Sequence, residues 1–256
     1  MKNYVYAIVV VALISAAFVG YELSHAPKSI YVVSMTADEM SVALKNRSID
    51  GFIVWEPFPA KAVSDGYGRV LVYSRDAWEN HPSCDLVISD DITDEGTIEA
   101  IAWVHIKATR FINDPANREK VLEYGQEFSG LGRDTVSAAI NNTKYIEFPD
   151  LNQTKKGFEI LEKAGAFKNS VKSMGYDSVD AFLSDLFVDK YNNEVRKKLD
   201  EDPGWTPPKV NGSFRFGYIE GNIHYLGMYI AQKEGYFEKI GLVPGKNIQF
   251  IPYRNG

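Results

Sequence analysis

One cysteine, Cys84, stands among 256 residues. That count excludes an internal disulfide and any cysteine-held zinc or iron–sulfur centre. Set against an apolar run, Cys84 reads as a small buried hydrophobe. Histidine is scarce as well. His25, His81, His105 and His224 are dispersed along the chain and do not form a transition-metal pattern. No Gly-x-Ser-x-Gly elbow, His-Glu-x-x-His pair, phosphate-cradling glycine loop or Gly-x-Gly-x-x-Gly fingerprint occurs. The usual nucleophile–base signatures are therefore missing, which favours binding without chemistry and a site that needs no cofactor. Concentrated positive charge is lacking too. The densest basic run, Arg196-Lys197-Lys198, is followed at once by Asp200-Glu201-Asp202, and the net charge is −6 with a pI near 5.3. A nucleic-acid partner is excluded on that basis, because phosphate binding requires a basic face.

What is present starts at the N-terminus. Tyr4 to Tyr21 is an apolar stretch with no charge, following a single Lys2. Its length suits either a short membrane span or a long signal peptide. Ser24-His25-Ala26 has the small-x-small form of a cleavage site, but Pro27 would occupy the first mature position and disfavours cleavage. The expectation is a signal or anchor over residues 1–26, uncleaved, with Lys2 cytoplasmic and the remainder exported. His25 falls in that juxtamembrane stretch. Sequons at Asn46, Asn141, Asn152 and Asn211 are compatible with an exported surface.

Beyond the anchor, "SIYVVSM" (29–35), "GFIVW" (51–55), "RVLVYS" (69–74) and "DLVIS" (85–89) read as strands. Helices are expected over 36–50, opened by a Thr36/Glu39 capping box, and over 57–66, opened by prolines. Alternating strands and helices of this kind define an α/β fold. The stretch 93–114 has helical periodicity, and helices follow over about 115–129, 133–142, 154–164, 178–186 and 188–199. Residues 200–212 hold three prolines and no apolar period, which suits a linker. After it, "FRFGYI" reads as a strand, "NIHYLGMYIAQKEGYFEKIG" as a helix and "NIQFIPY" as a strand.

In α/β sheets, ligands collect where strands hand over to helices. Two such junctions stand out. Trp55-Glu56-Pro57 ends a strand on an indole, a carboxylate and a proline. Tyr218, Gly221, Asn222, His224 and Tyr225 form the other, and Asn80-His81-Pro82 is a third candidate. Free backbone N–H groups at the helix starts would favour an anion, with rings and side-chain donors around it. Each residue also has a plain structural reading: Trp55 as core packing, Glu56 as a first-turn acid, His81 as a turn residue and His224 as a capped core histidine. His105, within a long amphipathic helix, is read as structural.

The blocks "IDGFIVWEPFPAKAV", "WENHPSCDLVIS" and "FRFGYIEGNIHYLGMYIAQKEGYFEKIGL" resemble the nitrate/sulfonate/taurine-type substrate-binding proteins of ABC importers. These are two-lobed type II periplasmic-binding proteins, related to the thiamine-pyrimidine precursor group. The resemblance implies a ligand cleft between two α/β lobes, built by Trp55, Glu56, Pro57, Asn80, His81, Tyr218, Gly221, Asn222, His224 and Tyr225. It implies an ABC permease as partner and no cofactor. The order of blocks departs from the family. The strand–helix unit that opens family members lies last here, over 213–256, while residues 27–199 match half of the second lobe and the helical part of the first. A permuted chain, or a piece of a tandem array, is therefore expected. Two alternatives stand beside the importer reading: an enzyme of the pyrimidine-forming branch, and a ligand-binding sensor or remnant.

Overall fold

In the computed structural model, residues 29–254 are described. The chain divides into two compact units, Met1–Met35 and Thr36–Gly256. The expected anchor at 1–26, His25 included, lies outside the described residues; no helix among those described is long and apolar enough to cross a membrane. In the first unit, residues 30–35 have no regular secondary structure.

The second unit is mixed α/β with many helices and a small open sheet. Helix α1 (Ala37–Lys45) starts at the Thr36/Glu39 capping box, in which each residue satisfies the other's backbone N–H. Next come α2 (Phe58–Ser64) and the short α3 (Ser74–Ala77). Helix α4 (Glu95–Asn113) is the centre of the unit. Its start is fixed by Asp94, whose carboxylate accepts from the Thr97 N–H at 2.9 Å. Ala100, Ile101, Trp103, Val104, Ile106, Ala108 and Ile112 are all buried, so apolar contact surrounds much of the helix. One cluster joins Trp103 and Ile106 to Phe237, Ile240 and Ile248; the other joins Ile112 to Val121, Val136, Ile223 and Ile230.

Helices α5 (Arg118–Ser129), α6 (Arg133–Asn142), α7 (Leu151–Lys163), α8 (Val179–Leu186) and α9 (Lys190–Glu201) follow within a few residues of the sequence expectation. Residues 200–212 are largely irregular yet packed. The Trp205 carbonyl accepts from Trp103 Nε1 at 2.9 Å, and buried Val210 donates its N–H to Ile240. Strands β1 (Phe214–Ile219) and β2 (Ile248–Tyr253) pair in parallel, from Phe214 opposite Ile248 to Ile219 opposite Tyr253. Between them the expected single helix is broken into a 3₁₀ turn (Ile223–Tyr225), α10 (Leu226–Lys233) and α11 (Tyr236–Lys239). The break before α11 falls at Gly235, whose φ of 68° suits glycine and interrupts the helix.

Four expected strands come out differently. Residues 30–35, 51–55, 69–73 and 85–89 have no regular secondary structure and form no ladder among the described residues, and Leu71 lies in a bend. Period and β-propensity select an extended backbone; a ladder also requires a neighbour at 4.7–4.9 Å. Among the described residues, β1 and β2 alone form a ladder, with one isolated bridge between Pro244 and Ile248.

Candidate functional site

The junction after residues 51–55 is locked from within. A cis peptide joins Glu56 and Pro57. Glu56 is 7% exposed; its Oε2 accepts from the Ala60 N–H at 3.1 Å and its Oε1 from Asn142 Nδ2 at 2.9 Å. The carboxylate thus caps α2 and ties it to the end of α6. Arg75 holds the same Asn142 through its Oδ1 at 3.3 Å. The second junction leaves β1 through Gly221, at φ 72°, into buried Asn222. Asn222 Oδ1 accepts from the His224 N–H at 2.9 Å, and Tyr145 donates its hydroxyl to the Ile223 carbonyl at 2.8 Å. One hydrogen bond joins the two junctions: the Ile223 N–H donates to the Glu56 carbonyl at 3.3 Å.

Two of the helix-start amides in the expected site have partners within the junctions. Side chains of the junctions themselves already occupy the Ala60 and His224 N–H groups.

The third segment supplies Asn80, at φ 54°, with Oδ1 accepting from Lys144 Nζ at 2.8 Å. His81 Nδ1 lies 3.0 Å from the Trp78 carbonyl, its ring 5.6 Å from the indole. Trp78 is itself fixed, donating Nε1 to Gln153 at 2.8 Å and packing where a Cβ on Gly157 would lie 1.9 Å from its ring. Glycine at 157 is what lets that indole seat.

Trp55, Glu56, Asn80, His81, His224 and Tyr225 all line one open cleft of about 2590 Å³. Pro57, Tyr218, Gly221 and Asn222 do not line it. Tyr218 backs Tyr225 at 6.4 Å between ring centres, and Gly221 and Asn222 shape the turn. Trp55 Nε1 is buried without a hydrogen-bond partner. His105 is partly buried in α4 with its Nε2 3.2 Å from the Ile146 carbonyl, and desolvation lowers its pKa.

Cys84 departs from expectation. It is exposed rather than buried, and its Sγ sits 3.2 Å from His224 Nδ1. Partial desolvation of the sulfur against its neighbours raises the thiol pKa although the residue is exposed, and desolvation, with His81 adding repulsion, pushes His224 down to about 4. Both shifts favour a neutral thiol beside a neutral imidazole. A nucleophilic cysteine needs the opposite, a thiolate beside an imidazolium. Hydrogen bonding to a guest is what this pair can offer. Among the described residues, no group of three or more His, Cys, Asp or Glu is placed to hold a metal ion. Sequence reasoning missed Cys84, Asn142 and Lys144. They meet their partners 140, 86 and 64 positions away, and no local pattern encodes such pairs.

The depressed His224 pKa has a stability consequence. Its folded value, about 4, lies below the unfolded 6.5, so the unfolded chain binds more protons between them. Stability is full above pH 6.5 and falls as pH drops toward 4, by about 3 kcal/mol at most. Denaturant titrations at pH 7, 5 and 4 should show this loss in the native chain and a smaller one in His224→Gln. Equal losses in both would remove His224 as its source.

The profile of the NMT1-like family matches residues 21–124. That family comprises ABC-transporter substrate-binding proteins of the nitrate/sulfonate type, mostly binding proteins rather than enzymes. The nitrate import ATP-binding protein NrtC of Synechococcus elongatus is 32% identical over 108 residues, covering 41% of this chain and 16% of that protein. The protein of the same name from Synechocystis sp. is 26% identical over 99 residues, 38% of this chain and 15% of its own length. A bicarbonate transport ATP-binding protein, CmpC of Synechocystis sp., is 26% identical over 98 residues, again 38% and 15%. The chain therefore matches about a sixth of these relatives' length. No solved structure matches.

Proposed function

We propose that this chain is an extracytoplasmic solute-binding component of an ABC importer, taking a small anion of the nitrate or sulfonate class. One observation carries the reading: two strand-to-helix junctions, joined by the Ile223–Glu56 bond, bring Trp55 and His224 onto the same cleft. The family profile over residues 21–124 supports it independently. The guest would be held by neutral donors, the unpartnered Trp55 indole N–H and the His224 imidazole, with Tyr225 and Cys84 around it. A buried N–H without an acceptor carries a desolvation penalty of about 1–3 kcal/mol, which an anionic oxygen would relieve. In this reading residues 1–26 anchor the chain at the membrane and an ABC permease receives the ligand.

Calorimetry on the full chain with nitrate, bicarbonate, taurine and an alkanesulfonate tests the proposal. Heat is expected with at least one of them. Trp55→Ala and His224→Ala should each weaken that ligand about tenfold or more. Absence of heat from all four, or affinity untouched by both substitutions, would count decisively against it.

A further inference from the structure

Four sequons lie outside the ligand site: Asn46, Asn141, Asn152 and Asn211, each followed two positions later by Ser or Thr. An asparagine in such a sequence takes a glycan where both its amide and that hydroxyl can be presented at a surface. The fold treats the four differently.

Three are engaged by helices. Asn46 is the C-cap of α1, and Ser48 donates its hydroxyl back to the Ala43 carbonyl at 3.0 Å. Asn141 lies inside α6 with its Oδ1 accepting from Arg118 at 2.9 Å, while Thr143 donates to the Ala139 carbonyl at 3.0 Å. Asn152 lies in the first turn of α7, and Thr154 donates to the Asp150 carbonyl at 3.0 Å. Offering any of these to an enzyme means breaking that bond and unwinding a helix end.

Asn211-Gly212-Ser213 is different. It sits in irregular backbone just before β1, and all three residues are exposed. Neither the Asn211 amide nor the Ser213 hydroxyl has a hydrogen-bond partner among the described residues. The backbone around them is nevertheless held. Val210 is buried and donates its N–H to the Ile240 carbonyl at 2.8 Å, and the Gly212 carbonyl accepts from Asn247 Nδ2 at 3.0 Å. Gly212, at φ 109°, turns the chain in open space. The sequon is thus a fixed surface turn whose amide and hydroxyl are both free.

We propose that Asn211 is an N-glycosylation site, modified by transfer of a sugar chain from a lipid-linked oligosaccharide. The inference rests on the exported placement of the chain in the function proposed above. In the transfer, Asn211 Nδ2 bonds to C1 of the first sugar as the C1–O bond to the lipid phosphate breaks. The phosphate leaves with the electron pair, and the amide proton passes to a base of the membrane-bound transferase.

The test uses the full chain purified from membranes of the organism that encodes it. Tryptic cleavage after Lys209 and Arg215 releases residues 210–215, and mass spectrometry of that peptide should place a sugar mass on Asn211. Asn211→Gln and Ser213→Ala should each abolish the mobility shift of the whole chain, and Ser213→Thr should keep it. An unmodified Asn211, a shift that survives Asn211→Gln, or sugar on Asn141 in place of Asn211 would overturn the proposal. So would a peptide showing only conversion of Asn211 to aspartate, the spontaneous reaction of an Asn-Gly step. Labelling intact cells with a membrane-impermeant amine reagent reads export separately. A labelled chain with Asn211 unmodified sinks this inference alone, whereas an unlabelled chain with Asn211 unmodified sinks the exported placement with it.

Discussion

Trp103→Ala is expected to destabilise the chain by about 3–5 kcal/mol, the usual cost of deleting a large buried aromatic. The residue is 1% exposed at the middle of α4. Its ring meets Tyr236 edge-on at 5.8 Å, and its Nε1 donates to the Trp205 carbonyl at 2.9 Å. Two losses therefore combine: apolar contact with α11, and the bond that seats residues 200–212. Trp103→Phe separates them. It keeps most of the volume, leaves the Trp205 carbonyl unpaired, and should cost about 1–3 kcal/mol. Against a typical total of about 5–15 kcal/mol, the alanine change removes a large share of the stability. Urea titration should show a lower midpoint with an unchanged slope. An alanine variant within 1 kcal/mol of the native chain would mean that α4 is not the organising helix.

Glu56→Gln is expected to cost about 2–3 kcal/mol while leaving ligand affinity unchanged in the folded fraction. The carboxylate accepts two donors, the Ala60 N–H and Asn142 Nδ2, from inside the protein. An amide offers one oxygen and one NH₂, so a donor must face a donor at one of the two positions. A double-mutant cycle with Asn142→Ala measures the shared part, and coupling of about 0.5–3 kcal/mol is expected for groups in direct contact. Should Glu56→Gln leave stability alone and weaken an anion's binding instead, the carboxylate would belong to the ligand after all. Together with the ligand substitutions at Trp55 and His224, this divides the junction into a residue that builds it and residues that use it.

That division was only partly legible in the sequence. Trp55-Glu56-Pro57 stood out because an indole, a carboxylate and a proline close an apolar run where a helix is about to start. Nothing in the local sequence separated the role of Glu56 from that of Trp55. The difference lies in Asn142, 86 positions away, whose amide takes one carboxylate oxygen. Likewise, Cys84 looked like a core residue because its neighbours are apolar. Its actual neighbour is His224, brought to 3.2 Å by the fold.

The sequence by itself determined the helices, because their hydrogen bonds close within four residues and their caps are adjacent in the chain. Thr36 with Glu39, and Asp94 with Thr97, needed no tertiary information. The tertiary structure alone decided which expected strands became a sheet, for a ladder's partners lie in another segment; β1 found β2, while 51–55, 69–73 and 85–89 found no partner among the described residues. It likewise decided that Trp55, His81, Cys84 and His224 share one cleft, because contacts between distant positions are set by packing around α4 and not by any local preference.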